Sequence, residues 1–235
     1  MTTQIHYQDE LSALPAAVPG AATSTHLLDL ALPCPLACTG CSRARSEAAL
    51  PQCAARLCAS ARDASGDVKA VLYGGDPLLA TDLVEAFLTE AGEACAARGR
   101  RLVPLVLASG AALTASRARA LRCAGVAGLQ VSLEGTRERH DALRPAHGGG
   151  GSWDTIVRAL REEREGLPAV VRMHAVRGDP EVERLAEALE REGLFEPPQP
   201  VLLLVGPVAS YRERASDLLR LHASRRFPPP QGASG

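Results

Sequence analysis

Short runs of leucine and valine, each parted from the next by a longer segment of helical period, recur from His26 onward and constrain this chain more than any other feature. The runs lie near His26 to Leu32, Val68 to Tyr73, Leu102 to Ala108, Gly128 to Leu133, Ala169 to Val176 and Val201 to Val205. Each is nearly continuous in apolar character, as a strand covered on both faces must be. Strands of that kind joined by helices form a parallel sheet. Six such βα units fall short of the eight that close a full barrel. The expectation is an α/β fold, a partial (β/α)6 TIM-like barrel with parallel strands and its functional groups at the strand C-termini.

Two helices show their phase directly. Asp179-Pro180-Glu181 supplies an N-cap acceptor, a proline at the first helical position and an acid in the first turn. Val182, Leu185, Ala186 and Leu189 then recur at helical spacing, with Gly193 as the stop. Leu79, Leu83, Phe87 and Ala91 predict a second apolar stripe, and a last helix is expected around Tyr211 to Ser224. The arginines of that last helix, Arg212, Arg214 and Arg220, read as a solvated face.

A chain of 235 residues, 46% of them hydrophobic, suffices for one core. Residues 1–21 are expected to be an irregular extension, 22–225 the domain, and 226–235, which end in FPPPQGASG, a disordered tail. A net charge of -1 and a pI near 6.6 argue against nucleic acid or an anionic membrane surface as partner. The start has neither the basic nor the apolar region of a secretory signal, and no apolar run reaches the roughly 20 residues a bilayer span needs. A cytoplasmic location is expected.

Seven cysteines is an odd number, and three of them fall within eight positions, which suits metal ligation in a reducing compartment. Cys34, Cys38 and Cys41 form a C-x3-C-x2-C run directly after the first strand. Three thiolates can hold three irons of a cubane and leave the fourth open to a ligand. A zinc site is the alternative, with Cys38 and Cys41 joined by Cys53 and Cys58. Against it, Cys53 and Cys58 share the apolar stripe of a helix that Pro51 could begin. Cys95 and Cys123 read as structural. The second strand ends in Gly74-Gly75-Asp76-Pro77, where two glycines permit close backbone approach and Asp76 offers an acceptor to an ammonium group, or simply starts the next helix.

The cysteine loop after one strand and the Gly-Gly-Asp-Pro turn after the next resemble the radical S-adenosylmethionine (radical SAM) superfamily. Ser132-Leu-Glu134-Gly135, Arg139-His140-Asp141-Ala-Leu-Arg144-Pro145 and Ser152-Trp153-Asp154 are similar to its branch of sulfatase maturases and peptide-modifying maturases. The resemblance implies one [4Fe-4S] cluster on Cys34, Cys38 and Cys41, and S-adenosylmethionine (SAM) bound by Gly74, Gly75, Asp76, Pro77, Ser109, Ser132, Glu134 and Arg144. Arg144 would pair with the carboxylate of SAM. It further implies reductive cleavage of SAM to a 5′-deoxyadenosyl radical, an external electron donor, and a peptide or protein substrate. The match departs from the family pattern at Gly40, Asp76, Ser109 and Glu134, and no cysteine follows Cys123 to supply the auxiliary clusters of that branch. A recognition partner protein, or a non-catalytic Fe–S scaffold, are the readings those departures raise. No catalytic acid or base stands out, and His140, Asp141, His147 and His174 read as surface or core residues.

Overall fold

A computed structural model describes residues 5–8, 24–30, 32–39, 41, 57, 66–197, 200–208 and 211–223. Among these residues, seven strands form one sheet in the order β1-β7-β6-β5-β4-β3-β2, every pairing parallel. They are β1 (Ile5–Tyr7), β2 (Ser24–Asp29), β3 (Val68–Tyr73), β4 (Leu102–Ala108), β5 (Gly128–Ser132), β6 (Ala169–His174) and β7 (Leu202–Gly206). The helices are α1 (Thr81–Ala96), α2 (Ala115–Cys123), α3 (Arg137–Leu143), α4 (Trp153–Glu162), α5 (Pro180–Arg191) and α6 (Tyr211–Ala223). The architecture is the parallel α/β fold of a partial (β/α) barrel, with seven strands where the apolar runs give six.

The additional strand, β1, lies in the stretch expected to be irregular and pairs Ile5 with Leu203 and Tyr7 with Val205. Three residues are too few to show a period, and the edge position of β1 leaves Ile5, His6 and Tyr7 only half-buried. The α1 stripe also differs from expectation: Leu79 and Leu83 are exposed, while Val84, Phe87, Leu88, Ala91 and Cys95 are buried. Phe87 and Ala91 keep their expected place on the inward face, while Leu79 lies in the 3₁₀ turn Pro77–Ala80, whose three residues per turn take it off the phase of the α-helix that follows. The α5 expectation matches, with Asp179 accepting from the Glu181 amide at 3.0 Å and Val182, Leu185 and Leu189 fully buried.

The two faces of the sheet are covered differently. Leu129, Val131, Val171 and Met173 join the buried rows of α1, α2, α4 and α5 in one large apolar cluster. Strand alternation puts the intervening residues on the opposite face. There Val71, Leu105, Leu107, Val170, Leu202 and Leu204 meet Leu218 and Leu221 of α6. Gln130, Ser132 and Arg172, all buried, lie on this second face. No helix among the described residues is long and apolar enough to cross a membrane.

Candidate cluster and cofactor site

The loop after β2 carries Cys34, Cys38 and Cys41 across the C-terminal edge of the sheet, where it is held from two sides. On one side the amides of Leu30, Leu32 and Asp76 bond to the carbonyls of Tyr73 (2.8 Å), Gly74 (3.4 Å) and Pro33 (2.8 Å). Gly74 and Gly75 sit at φ of 101° and 61°. A Cβ at Gly75 would run into the Leu32 carbonyl, and one at Gly74 into the Asp29 carboxylate. The close approach that these glycines permit is therefore that of the cysteine loop itself.

On the other side, the amides of Ala37 and Thr39 donate to the carbonyls of Pro145 and Leu143, each at 2.8 Å. His147 donates to Pro35 at 3.1 Å, and Leu36 forms an antiparallel bridge with Ala146. This short pairing sets Arg144 beside the thiols. Nothing in the sequence announces it, because main-chain hydrogen bonds between two irregular segments leave no periodic side-chain pattern.

One cleft gathers Cys34, Cys38, Cys41, Gly74, Gly75, Ser109, Ser132, Arg144 and Arg214. A larger cavity of ≈ 310 Å³, lined by Thr136, Trp153, Arg184 and Arg191 among others, lies away from it among α3, α4 and α5. Chemistry rather than size selects the cleft, since it holds all three thiols of the cysteine run. Burial pushes the Cys34 and Cys38 thiols up, with Arg144 pulling each the other way. Among the described residues, no three Cys, His, Asp or Glu side chains are grouped to share one ion. A multi-iron cluster asks for a wider spacing, each thiolate on its own iron, than one tetrahedral zinc. Gly40, and the Cys53 and Cys58 of the zinc alternative, lie outside the described residues.

Asp76 does not face the cleft as a free acceptor. It is fully buried, caps the 3₁₀ turn through the Leu78 amide at 3.0 Å, and accepts from both the hydroxyl and the amide of Ser109. Burial raises its pKa, and the Ser109 and Leu78 bonds work against that rise. Pro77, also buried, begins the same turn. Asp76 thus ties the end of β3 to the end of β4, while Ser109 presents its other side to the cleft.

Glu134, just beyond β5, accepts from the His174 ring at 2.8 Å and the His174 amide at 3.1 Å, and pairs with Arg144 at 3.4 Å. Burial pushes its carboxyl up, but the His174 bond and charge, with Arg144, more than offset this and hold it at about 2. Glu134 is therefore an anion that orients Arg144. His140 is a core histidine. Its Nδ1 accepts from the Glu134 amide at 3.2 Å, which leaves Nε2 to donate to Ser152 Oγ at 2.9 Å, and that hydroxyl donates to the Arg144 carbonyl at 2.7 Å. Burial, then the Arg144 charge, lower its pKa to about 4, so it is neutral at neutral pH. Asp141 caps the start of α4 through the amides of Ser152 and Trp153, at 2.8 and 2.9 Å. His147 is exposed.

Ser132, at the C-terminal end of β5, turns its hydroxyl into the cleft and accepts from Arg214 at 2.9 Å. Sequence reasoning put Arg214 on a solvated face. Its spacing of three, four and seven from Asp217, Leu218 and Leu221, all buried, is the signal that places it inward.

The profile of the radical SAM superfamily matches residues 33–191, from the edge of the cysteine loop to the end of α5. The chain belongs to the radical SAM superfamily. Among solved structures, native anSMEcpe with bound AdoMet superposes with a TM-score of 0.63 at 16% identity, covering 78% of this chain and 51% of that one. Native anSMEcpe with bound AdoMet and Kp18Cys peptide gives 0.64 at 15% identity, with the same coverage of 78% and 51%. This radical SAM chain thus spans about half the length of those structures, and at such identity the likeness is one of fold. No curated protein matches it.

Membership implies a [4Fe-4S] cluster and SAM, and the cleft fits both. Burial holds the Cys34 and Cys38 thiols back from ionising, and iron is a cation that draws them to the thiolate, with the Cys41 thiol in the same cleft. The Nε of Arg144 is buried without a hydrogen-bond partner, a donor of the kind that an anionic ligand group satisfies.

Proposed function

We propose that this radical SAM protein is an enzyme that holds one [4Fe-4S] cluster on Cys34, Cys38 and Cys41 and acts on a peptide or protein side chain. When bound, the cluster and SAM supply a reductive C–S cleavage, driven by an electron from an external donor, and a 5′-deoxyadenosyl radical that removes a substrate hydrogen. The observation that carries the reading is the convergence of the three thiols with the Arg144 guanidinium in a single cleft.

The chain's own residues divide the remaining work. Arg144 receives the carboxylate of SAM in a charge-assisted bond, and Glu134 holds its guanidinium in place. Asp76 is committed to Ser109 and Leu78, so the main chain of Gly74 and Gly75 is left to accept from the SAM ammonium. Ser109 and Ser132 line the cleft as small polar walls that leave room beside the cluster. The solved anSMEcpe complex with a peptide, on the same fold, supports a peptide as the substrate class.

Anaerobic reconstitution tests this directly. About four irons per chain, and 5′-deoxyadenosine on reduction with SAM, are expected. Cys34→Ala should abolish both while leaving the far-UV circular dichroism unchanged. Iron without 5′-deoxyadenosine would assign the chain to the scaffold reading, and zinc retained by Cys34→Ala would replace the cluster altogether.

A further inference from the structure

We infer that Arg214, delivered by the helix that follows the last strand, is a second guanidinium for the carboxylate of SAM; this rests on the cleft being a SAM site, as proposed above. The inward row of α6 is Arg214, Asp217, Leu218 and Leu221, at helical spacing i, i+3, i+4 and i+7. The row changes chemistry along its length, and the sheet face beneath it changes in step. Leu218 and Leu221 are fully buried in the cluster of Val170, Leu202 and Leu204. Beside Leu218 and one turn above Leu221, Asp217 accepts from Arg172 of β6 at 2.7 Å, both side chains buried. At the cleft end, Arg214 donates to Ser132 Oγ at 2.9 Å.

The lower part of this row sets the position of Arg214. An arginine–aspartate pair with no access to water has one favourable register, so α6 cannot slide along the sheet without uncovering a charge. Arg214 is thereby presented to the same cleft as the three thiols and Arg144. A guanidinium matches a carboxylate with two parallel N–H bonds, and a charge-assisted bond is roughly twice as strong as one to a neutral hydroxyl such as that of Ser132. Arg144 alone divides its charge between Glu134 and the ligand. With Arg214 in the same cleft, the carboxylate meets two cations, and the Ser132 hydroxyl is released to donate to it.

The test uses reconstituted, unreduced holoprotein and two ligands: SAM, and 5′-methylthioadenosine, which keeps the nucleoside and its methylated sulfur, as a neutral thioether, but lacks the amino acid arm with its carboxylate. Affinities are read by equilibrium dialysis. Arg214→Met should weaken SAM about 10- to 100-fold, as expected for loss of a hydrogen bond to a charged group, and leave 5′-methylthioadenosine unchanged. Arg214→Lys should recover part of the loss and covers the case in which the methionine variant misfolds. Unchanged SAM affinity in both variants, or equal weakening of both ligands, would overturn the assignment of Arg214. Wild-type holoprotein that binds neither ligand would instead overturn the SAM site itself.

Discussion

The helices on the two faces of the sheet make different kinds of contact. On one face α1, α2, α4 and α5 press largely apolar rows onto Leu129, Val131 and Val171. On the other, α6 brings an arginine and an aspartate along with its two leucines, against Ser132 and Arg172. Apolar contact is non-directional and tolerates small shifts, so it fixes that a helix packs but only loosely where. A buried ion pair has a defined geometry and penalises every other. The apolar face therefore builds the fold, and the mixed face aims residues at the cleft.

This contrast can be broken by substitution. Arg172→Ala leaves the buried Asp217 with only the longer 4.0 Å contact to Arg220 and is expected to cost about 3 kcal/mol in urea unfolding. Leu185→Ala, on the apolar face, should cost about 2–5 kcal/mol. The distinction is rescue: exchanging Arg172 and Asp217 together for Met and Leu should restore most of the loss, while leaving α6 less closely positioned and SAM binding weaker. If the double variant is as unstable as Arg172→Ala, the pair is not the source of the cost.

A smaller effect concerns pH. His140 is held neutral, with its pKa near 4 against an ordinary 6.5. The unfolded chain gains a proton as pH falls through 6.5 and the folded chain does not until about 4. Its contribution is thus complete above pH 6.5 and shrinks below it, by about 2 kcal/mol between pH 7 and pH 5. Glu134, at about 2 in the folded chain, adds a loss of the same sign below its ordinary 4.5. Urea titrations at pH 7 and pH 5 should show this fall in the wild type and little of it in His140→Gln; an equal fall in both would place the proton elsewhere.

The smallest effect has the opposite sign. Gln130 is fully buried on the mixed face, and neither its Oε1 nor its Nε2 has a hydrogen-bond partner. Gln130→Leu removes two unmade bonds and should stabilise by about 1 kcal/mol in the same unfolding assay. A loss of that size would show that the carboxamide is hydrated.

The apolar face was also the legible one. Val68–Tyr73 and Leu102–Ala108 stand out as apolar runs, and Asp179-Pro180 marks the start of α5 to the residue. Where signals failed, the physics differs case by case. β1 is shorter than any period, and the 3₁₀ turn at Pro77 takes Leu79 off the phase of the next stripe. The α6 row was hidden because two of its four members are charged, so it does not look like a packing face. At the site, the thiols and Arg144 could be named from spacing and resemblance. What brings them together, the pairing of Leu36 with Ala146, could not.

The guanidinium of Arg172 binds Gln8 from 164 positions away and Asp217 from 45. Until both distant segments have returned, β6 carries a bare cation in the middle of a forming sheet. Loop-closure entropy places such long-range contacts late, so the last events of folding should be the arrival of these two segments at one side chain. Arg172 then acts as a checkpoint: a chain that has misplaced either segment keeps an uncompensated charge in its interior and cannot settle there.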